Sequence, residues 1–401
     1  MPELIIVCSA IISIIVYIAI SKYEKTYINF YTPMMIFIFP IEYILELYYI
    51  YYFGYSNTSY GYFFCYLLYS LKAVFLLIIY LFFRKNVSFN KYYGIYKYNI
   101  RFSPYIFIGI SFLLYLPILL EFKDIIFQPR QIYMATRLGY GLNYILSTTF
   151  FYIGFILLLV KEKTFTNKVW IFFVIGIIFI YFHASKLQYI VLIFIMIYYS
   201  VYVLNKRYSI IKTLKYILIM VIIILSLFYS NYKDYSDDID VDNLIMNVAL
   251  YSDYNRNCMK VIDTFPDILY GKLTFEDYVY SRIPRQIFTD KPKDYGARYL
   301  TLYYYPEWFY SEAGDPIFGY GMQYADFREL TIFYIFISSI IDGVSICLSI
   351  KYMGSKYTIV SLFTLLTSTG VPIIITGTGG LLIETILLGL IINKIALIKI
   401  K

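Results

Sequence analysis

Long uncharged apolar runs constrain this chain more than any other feature of its sequence. Residues 4–20, LIIVCSAIISIIVYIAI, carry no charged side chain, and comparable runs recur almost to the C-terminus. A helix needs about 20 apolar residues to cross the hydrocarbon core of a bilayer. Backbone N–H and C=O groups find no water there, so such runs must fold as helices that satisfy themselves. The composition agrees: 60% of residues are hydrophobic and 15% charged, against about 25% charged in soluble domains. Mean hydropathy is +0.66. The expected fold class is therefore an all-α polytopic membrane protein. The first run follows Met-Pro-Glu with no basic n-region and no small-residue cleavage site after it, so it reads as an anchor and not a cleaved signal peptide.

About eleven spans follow from the length criterion (range about 10–12). They lie near 4–20, 31–52, 61–83, 104–121, 143–160, 169–182, 188–205, 216–230, 329–350, 358–376 and 381–397. Lys and Arg in the short loops set orientation. The linkers RKNVSFNKYYGIYKYNIR, KEKTFTNK, NKRYSIIKTLK, KYMGSK and the terminal NKIALIKIK all fall on one side if the N-terminus is outside and the C-terminus inside. The other side holds the uncharged GYSNTSYG, the turn HASKL and two longer segments, about 122–142 and 231–327. The chain thus divides into residues 1–230 with eight spans, a large outside loop at 231–327, and residues 328–401 with the last three. That loop holds nine Lys or Arg and sixteen Asp or Glu. In a bacterium the outside face would be periplasmic, where nucleoside triphosphates and nucleotide sugars are not available, and the protein would lie in the inner membrane.

Several chemistries are excluded by what is missing. The chain has one histidine, His183, and no Cys-x-x-Cys or His-x-x-x-His spacing, so no zinc site is expected. No phosphate-binding Gly-x-x-x-x-Gly-Lys-Ser/Thr loop occurs, so ATP hydrolysis is not expected either. Cys8, Cys65, Cys258 and Cys347 suggest no disulfide framework. The acidic run DYSDDIDVDN (234–243) lacks the glycine and bidentate glutamate of a calcium loop and reads as a solvated charge run. Glu42 and Lys72 lie at similar depth in neighbouring spans, which predicts a buried structural pair.

What remains is a set of outward-facing arginines: Arg130, Arg137, Arg282, Arg285, Arg298 and Arg328. Guanidinium is always charged and grips phosphate oxygens in a bidentate fork, so arginines clustered at a membrane face suit a diphosphate headgroup. Pairing with the loop's own carboxylates is the simpler alternative for any one of them. Arg285 precedes Gly296 by ten intervening residues, and Arg130 precedes Gly141 by the same spacing, once in each long outside segment. A general base for a hydroxyl acceptor would be a carboxylate, with Glu312, Asp315 and Asp326 near the loop's return to the membrane.

These features resemble the bacterial oligosaccharide repeat-unit polymerases, the Wzy-type O-antigen and capsule polymerases. The resemblance rests on RIPRQIFTDKPKDYG (282–296), GDPIFGYGMQYADF (314–327), the paired Arg-x10-Gly loops, and a large periplasmic loop late among the spans. HASKLQ departs from the family's small-residue motif and leaves Lys186 as the counterpart. The resemblance implies a membrane glycosyltransferase of GT-C-like architecture with a mainly helical periplasmic loop. It would be metal-independent, free of cofactors and inverting. It would move a growing glycan from undecaprenyl diphosphate to a sugar hydroxyl of another lipid-linked repeat unit. Arg282 and Arg285 would then stabilise the diphosphate leaving group, with Glu312, Asp315 or Asp326 as base. Arg130, Arg137, Gly141, Lys186, Lys291, Gly296, Arg298 and Tyr324 would line the substrate site. Implied partners are the lipid-linked oligosaccharide, membrane lipid and a polysaccharide chain-length regulator; no nucleic acid is expected. Two rivals stay open on the residues: an O-antigen ligase, from which a histidine would be expected in the large loop, and a flippase, which would not need so long a loop.

Overall fold

The computed structural model describes residues 1–86, 96, 98, 100, 103–128, 131–132, 140–213, 215, 253–283, 288–311, 316–374 and 382–397. Among these the regular structure is helical throughout. The long apolar runs form α1 (Pro2–Glu24), α2 (Met34–Phe53), α3 (Ser59–Asn86), α4 (Ser103–Glu121) and α5 (Gly141–Glu162). Shorter apolar helices follow as α6 (Asn167–Phe182) and α7 (Lys186–Tyr198), the latter continuing through a wide turn at Tyr199–Val203. The large loop supplies α8 (Asp253–Thr264), α9 (Lys272–Tyr280), α10 (Ala297–Tyr304), α11 (Pro306–Ser311) and α12 (Gly321–Phe327). The chain ends with α13 (Thr331–Tyr352), α14 (Thr358–Ser368) and α15 (Leu382–Leu397). Among the described residues, six helical stretches are long and apolar enough to cross a membrane by length and composition, one of them running unbroken in sequence from Gly321 to Tyr352. The expected span at 216–230 and the acidic run at 234–243 lie outside the described residues.

The helices gather into two units that interleave in sequence. The first combines residues 1–19, 35–79 and 240–341. Here the large loop is not a separate body, because its helices share a core with the spans. Tyr43, Tyr62, Phe64, Cys65, Tyr66, Leu68 and Tyr69 pack with Cys258, Met259, Val261, Ile262, Leu273, Leu300 and Phe318. Burying each of the aliphatic side chains contributes about 1.5–3 kcal/mol, enough to dock α8 firmly. Within α2, wide turns at Met34–Ile38 and Pro40–Ile44 flank the position where Pro40 has no N–H to give. The Glu42 carbonyl beside them accepts from Tyr66 Oη (2.7 Å) and Asn255 Nδ2 (3.0 Å).

The second unit combines residues 20–34, 80–239 and 342–401. Its α4 and α5 approach so closely that a Cβ on Gly154 would stand 2.7 Å from Ile108 Cγ1 and 2.8 Å from the Pro104 carbonyl oxygen. Small residues of this kind let helices meet where lipid provides no hydrophobic drive. The basic ends cluster here: Arg84 Nε lies 3.5 Å from Glu24, the Tyr27 and Tyr96 amides bond to the Tyr208 and Gly354 carbonyls, and Tyr98 Oη reaches Asn393 at 3.1 Å. α14 stops at Ser368, where Gly370 takes φ +77° and Pro372 follows, so the run expected at 358–376 does not continue as one helix.

Candidate functional site: a cavity along α8

The sequence of α8, DYNRNCMKVIDT, sorts into two faces at helical spacing. Asn255, Cys258, Met259, Val261 and Ile262 are buried. Asp253, Arg256, Lys260, Asp263 and Thr264, together with the buried Asn257, line a cavity of about 710 Å³. Its other walls are the turn Tyr55–Thr58 between α2 and α3, and Tyr305, Trp308 and Pro316 from the loop.

Each wall is fixed by identifiable bonds. Asp263 accepts from Thr58 N (2.8 Å) and Thr58 Oγ1 (2.5 Å), which holds the start of α3 to the end of α8. Gly61 permits this approach, since a Cβ there would sit 2.7 Å from the Asp263 oxygens. Arg256 Nη1 bonds Glu46 Oε2 at 3.2 Å, and its guanidinium lies 3.8 Å from the Tyr49 ring centroid. Tyr305 Oη donates to Asn257 Oδ1 at 2.6 Å, with Lys260 Nζ 4.4 Å from the Tyr305 ring centroid. Trp308 is half exposed, its ring 5.9 Å from that of Tyr305. Burial holds the Asp253 carboxyl above the usual range, against the opposing pull of Arg256 and the Tyr254 N–H. Burial and the Asp253 charge push Tyr305 upward as well.

The deep end of α8 reaches well into the first unit. Asn255 is fully buried, donating to Tyr66 Oη (3.4 Å) and accepting from Tyr69 Oη (2.9 Å). Tyr66 is about 10 Å along α3 from its first residue, at 1.5 Å per residue. A segment expected to lie wholly outside the spans therefore enters among them. Glu42 meets Tyr254 in this region and does not pair with Lys72, which donates to Ser338 Oγ at 3.0 Å. The predicted Glu42–Lys72 pair is thus replaced by a contact with α8. Glu42 Oε2 is left buried without a hydrogen-bond partner among the described residues.

The residues singled out in the sequence fall elsewhere in the loop. Arg282 Nη1 bonds the Tyr278 carbonyl, and its guanidinium lies 3.7 Å from the Tyr278 ring centroid. Lys291 is buried, donating to the Ile283 carbonyl at 3.1 Å. Arg298 lies over Phe309 at 4.9 Å, and Tyr324 is buried edge-on against Phe64 at 5.2 Å. Gly296 has φ +59°, and a Cβ there would meet Asp277 Cβ at 2.7 Å. Burial raises the Asp277 carboxyl, while Arg282 and Lys291 pull it down, so three residues of the 282–296 motif converge on one carboxylate. Asp326 is fully buried and caps α9: it accepts from Leu273 N (3.0 Å), Thr274 N (2.7 Å) and Thr274 Oγ1 (2.6 Å). Those donors give it a structural task at the start of α9. Gly141 opens α5 with open space around it, and Lys186 opens α7. Arg130, Arg137, Arg285, Glu312 and Asp315 lie outside the described residues. His183 is a core residue: Nε2 meets Ser147 Oγ and Nδ1 the Phe179 carbonyl, both at 2.9 Å, and Tyr115 stacks on it at 4.0 Å. The cavity residues went unnoticed in the sequence, although their spacing at 253, 256/257, 260 and 263/264 is a helical polar face.

No protein-family model matches the chain, and no solved structure does. Two curated proteins match over most of their length: the O-antigen polymerase of Salmonella typhimurium (strain LT2) and that of Salmonella typhi. Each is 33% identical over 338 residues, covering 84% of this chain and 80% of the relative. Identity of that extent, spread over more residues than the chain has outside its large loop, shows that the chain belongs to the Wzy-type O-antigen polymerase family.

Proposed function

We propose that this protein polymerises lipid-linked oligosaccharide repeat units at the periplasmic face of the inner membrane. The growing glycan leaves undecaprenyl diphosphate and joins a sugar hydroxyl of another lipid-linked repeat unit. The observation that carries this is the 33% identity over 338 residues to proteins named O-antigen polymerase. The loop chemistry supports it: a basic, turn-rich segment at 281–301 joins helices that share a core with the spans, where a lipid-anchored substrate would arrive.

The reaction is a single displacement without a metal. The acceptor oxygen attacks the anomeric carbon from the side opposite the diphosphate, its proton passes to a carboxylate, and the carbon–oxygen bond to the diphosphate breaks. The anomeric configuration inverts. Charge develops on the departing diphosphate, where fixed guanidinium groups stabilise it more in the transition state than in the ground state. Arg285 and Arg282 are assigned to that task, with Arg130 and Arg137 from the other outside segment. Glu312, Asp315 and Asp326 are the assigned bases, with Glu312 and Asp315 put first because Asp326 also accepts three hydrogen bonds at the start of α9. Lys186, Lys291, Gly296, Arg298, Tyr324 and Gly141 are assigned to shaping the surrounding site. A chain-length regulator is the partner proposed for the assembled system.

Purified protein in detergent, given a lipid-diphosphate-linked repeat unit in the presence of EDTA, should produce a ladder of longer glycans. Arg285→Ala should reduce that ladder about 100-fold or more. Absence of a ladder, together with movement of intact substrate across a vesicle membrane, would replace the polymerase with a flippase.

A further inference from the structure

The cavity along α8 has a volume of about 710 Å³, within the roughly 300–1,000 Å³ of small-ligand sites. Its lining balances two carboxylates, Asp253 and Asp263, against two cations, Arg256 and Lys260. The cations are engaged, Arg256 with Glu46 and Tyr49, Lys260 with the rings of Tyr304 and Tyr305. An anion such as a diphosphate would find no excess positive charge there. A neutral ligand with an apolar face and many hydroxyls would find complementary walls. Trp308 is half exposed beside Tyr305. The C–H face of a pyranose carries partial positive charge and settles on the negative face of such a ring. Among the described residues Asp253 has the Tyr254 backbone bond and the Arg256 charge acting on it, and no side-chain hydrogen bond.

We propose that this cavity is a sugar-binding subsite for the repeat-unit glycan, with Trp308 as the stacking platform and two hydroxyl partners: Asp253, and the carboxamide oxygen of Asn57, a lining residue whose Nδ2 donates to Ser56 Oγ at 2.9 Å. The identity of the glycan rests on the polymerase function proposed above. The cavity follows α8 from Asp263, bonded to Thr58 in the α2–α3 turn, to Asp253, two residues before the buried Asn255. A glycan lying along it would run from water towards the depth at which its lipid carrier begins.

The chain has two tryptophans, Trp170 and Trp308, so Trp170→Phe leaves Trp308 as the single indole reporter. The full-length Trp170→Phe protein in detergent is titrated with lipid-free repeat-unit oligosaccharide, released by mild acid from the host's lipid-linked intermediate. A saturable change in Trp308 emission is expected, weakened about tenfold or more by Asp253→Asn, as for loss of a hydrogen bond to a charged group. Asn57→Ala serves as a second variant should Asp253→Asn fail to fold, and should weaken binding in the same direction. Inorganic pyrophosphate is expected to leave the emission unchanged. No saturable response to the oligosaccharide, or a response to pyrophosphate that competes with it, overturns the subsite. A ladder assay on the same preparation separates the two ideas. A ladder without a Trp308 response leaves a polymerase with its glycan elsewhere; a response without a ladder leaves the subsite and removes the polymerase.

Discussion

Asp326 and Asp253 are two carboxylates of one loop with opposite surroundings, and they should behave oppositely when changed. Asp326 satisfies two backbone N–H groups and a hydroxyl at the start of α9. Asp326→Ala should cost about 2 kcal/mol or more of stability, read as a fall in thermal midpoint in detergent. Asp253 is half-buried, and its carboxyl is raised by burial. The folded state then keeps that proton to higher pH than the unfolded state does. Between the ordinary aspartate range and the raised value the native protein binds more protons, so stability falls as pH rises through that window. Asp253→Asn should remove this penalty, raising the thermal midpoint at pH 7 while leaving it nearly unchanged at pH 3.5. A midpoint that drops at pH 7 would show instead that the ionised carboxylate is held by stabilising partners. Sequence pointed to Asp326 and passed over Asp253 for a physical reason. A cap that joins residues 273 and 326 is a contact between distant positions, which spacing does not encode. The polar face of α8 was visible as spacing, but spacing does not distinguish a face lining a cavity from one lying in bulk water.

At the scale of elements, the matched Arg-x10-Gly spacings part company at their glycines. Gly296 has a left-handed φ of +59° and lies against Asp277, whereas Gly141 begins an ordinary helix with space around it. Gly296→Ala should therefore cost about 1–3 kcal/mol and loosen the start of α10, detectable as faster proteolysis of the loop. Gly141→Ala should be neutral or stabilising by up to about 1 kcal/mol. Equal destabilisation by both would restore a common structural role for the two glycines. The position of α8 offers a second test. Arg256→Ala would remove the cation paired with the fully buried Glu46, leaving it the Tyr62 hydroxyl at 3.4 Å, and breaking such a pair costs about 3–5 kcal/mol. Adding Glu46→Gln should recover part of that loss, because the uncompensated charge is what costs most. The long helices were legible because an apolar run and the bilayer thickness dictate them. The wide turns around Pro40, and α8 entering beside Glu42, were not, since both depend on which side chains fill the gap between α2 and α3.

For the whole molecule, charge in the short loops sets the expected orientation, and each end of α1 then has an assigned side. At the Glu3 end of α1, Tyr55 Oη bonds Glu3 at 2.6 Å, and the same turn holds Asp263 of the large loop. At the Glu24 end, Arg84 lies beside Glu24, among the basic segments assigned to the cytoplasm. A polymerase using lipid-diphosphate donors in the periplasm needs the first set of ends outside. Thiol labelling measures this directly. Cys65, Cys258 and Cys347 are buried and Cys8 is exposed, so a Cys8→Ser background is quiet towards a membrane-impermeant maleimide. Tyr270→Cys, at a position 85% exposed, should label in cells whose outer membrane alone has been opened. Lys356→Cys, exposed in the turn between α13 and α14, should label only once the inner membrane is broken. The reverse pattern would put the large loop in the cytoplasm. The α8 cavity and the loop arginines would then face the wrong compartment for the proposed reaction, whatever the quality of their chemistry.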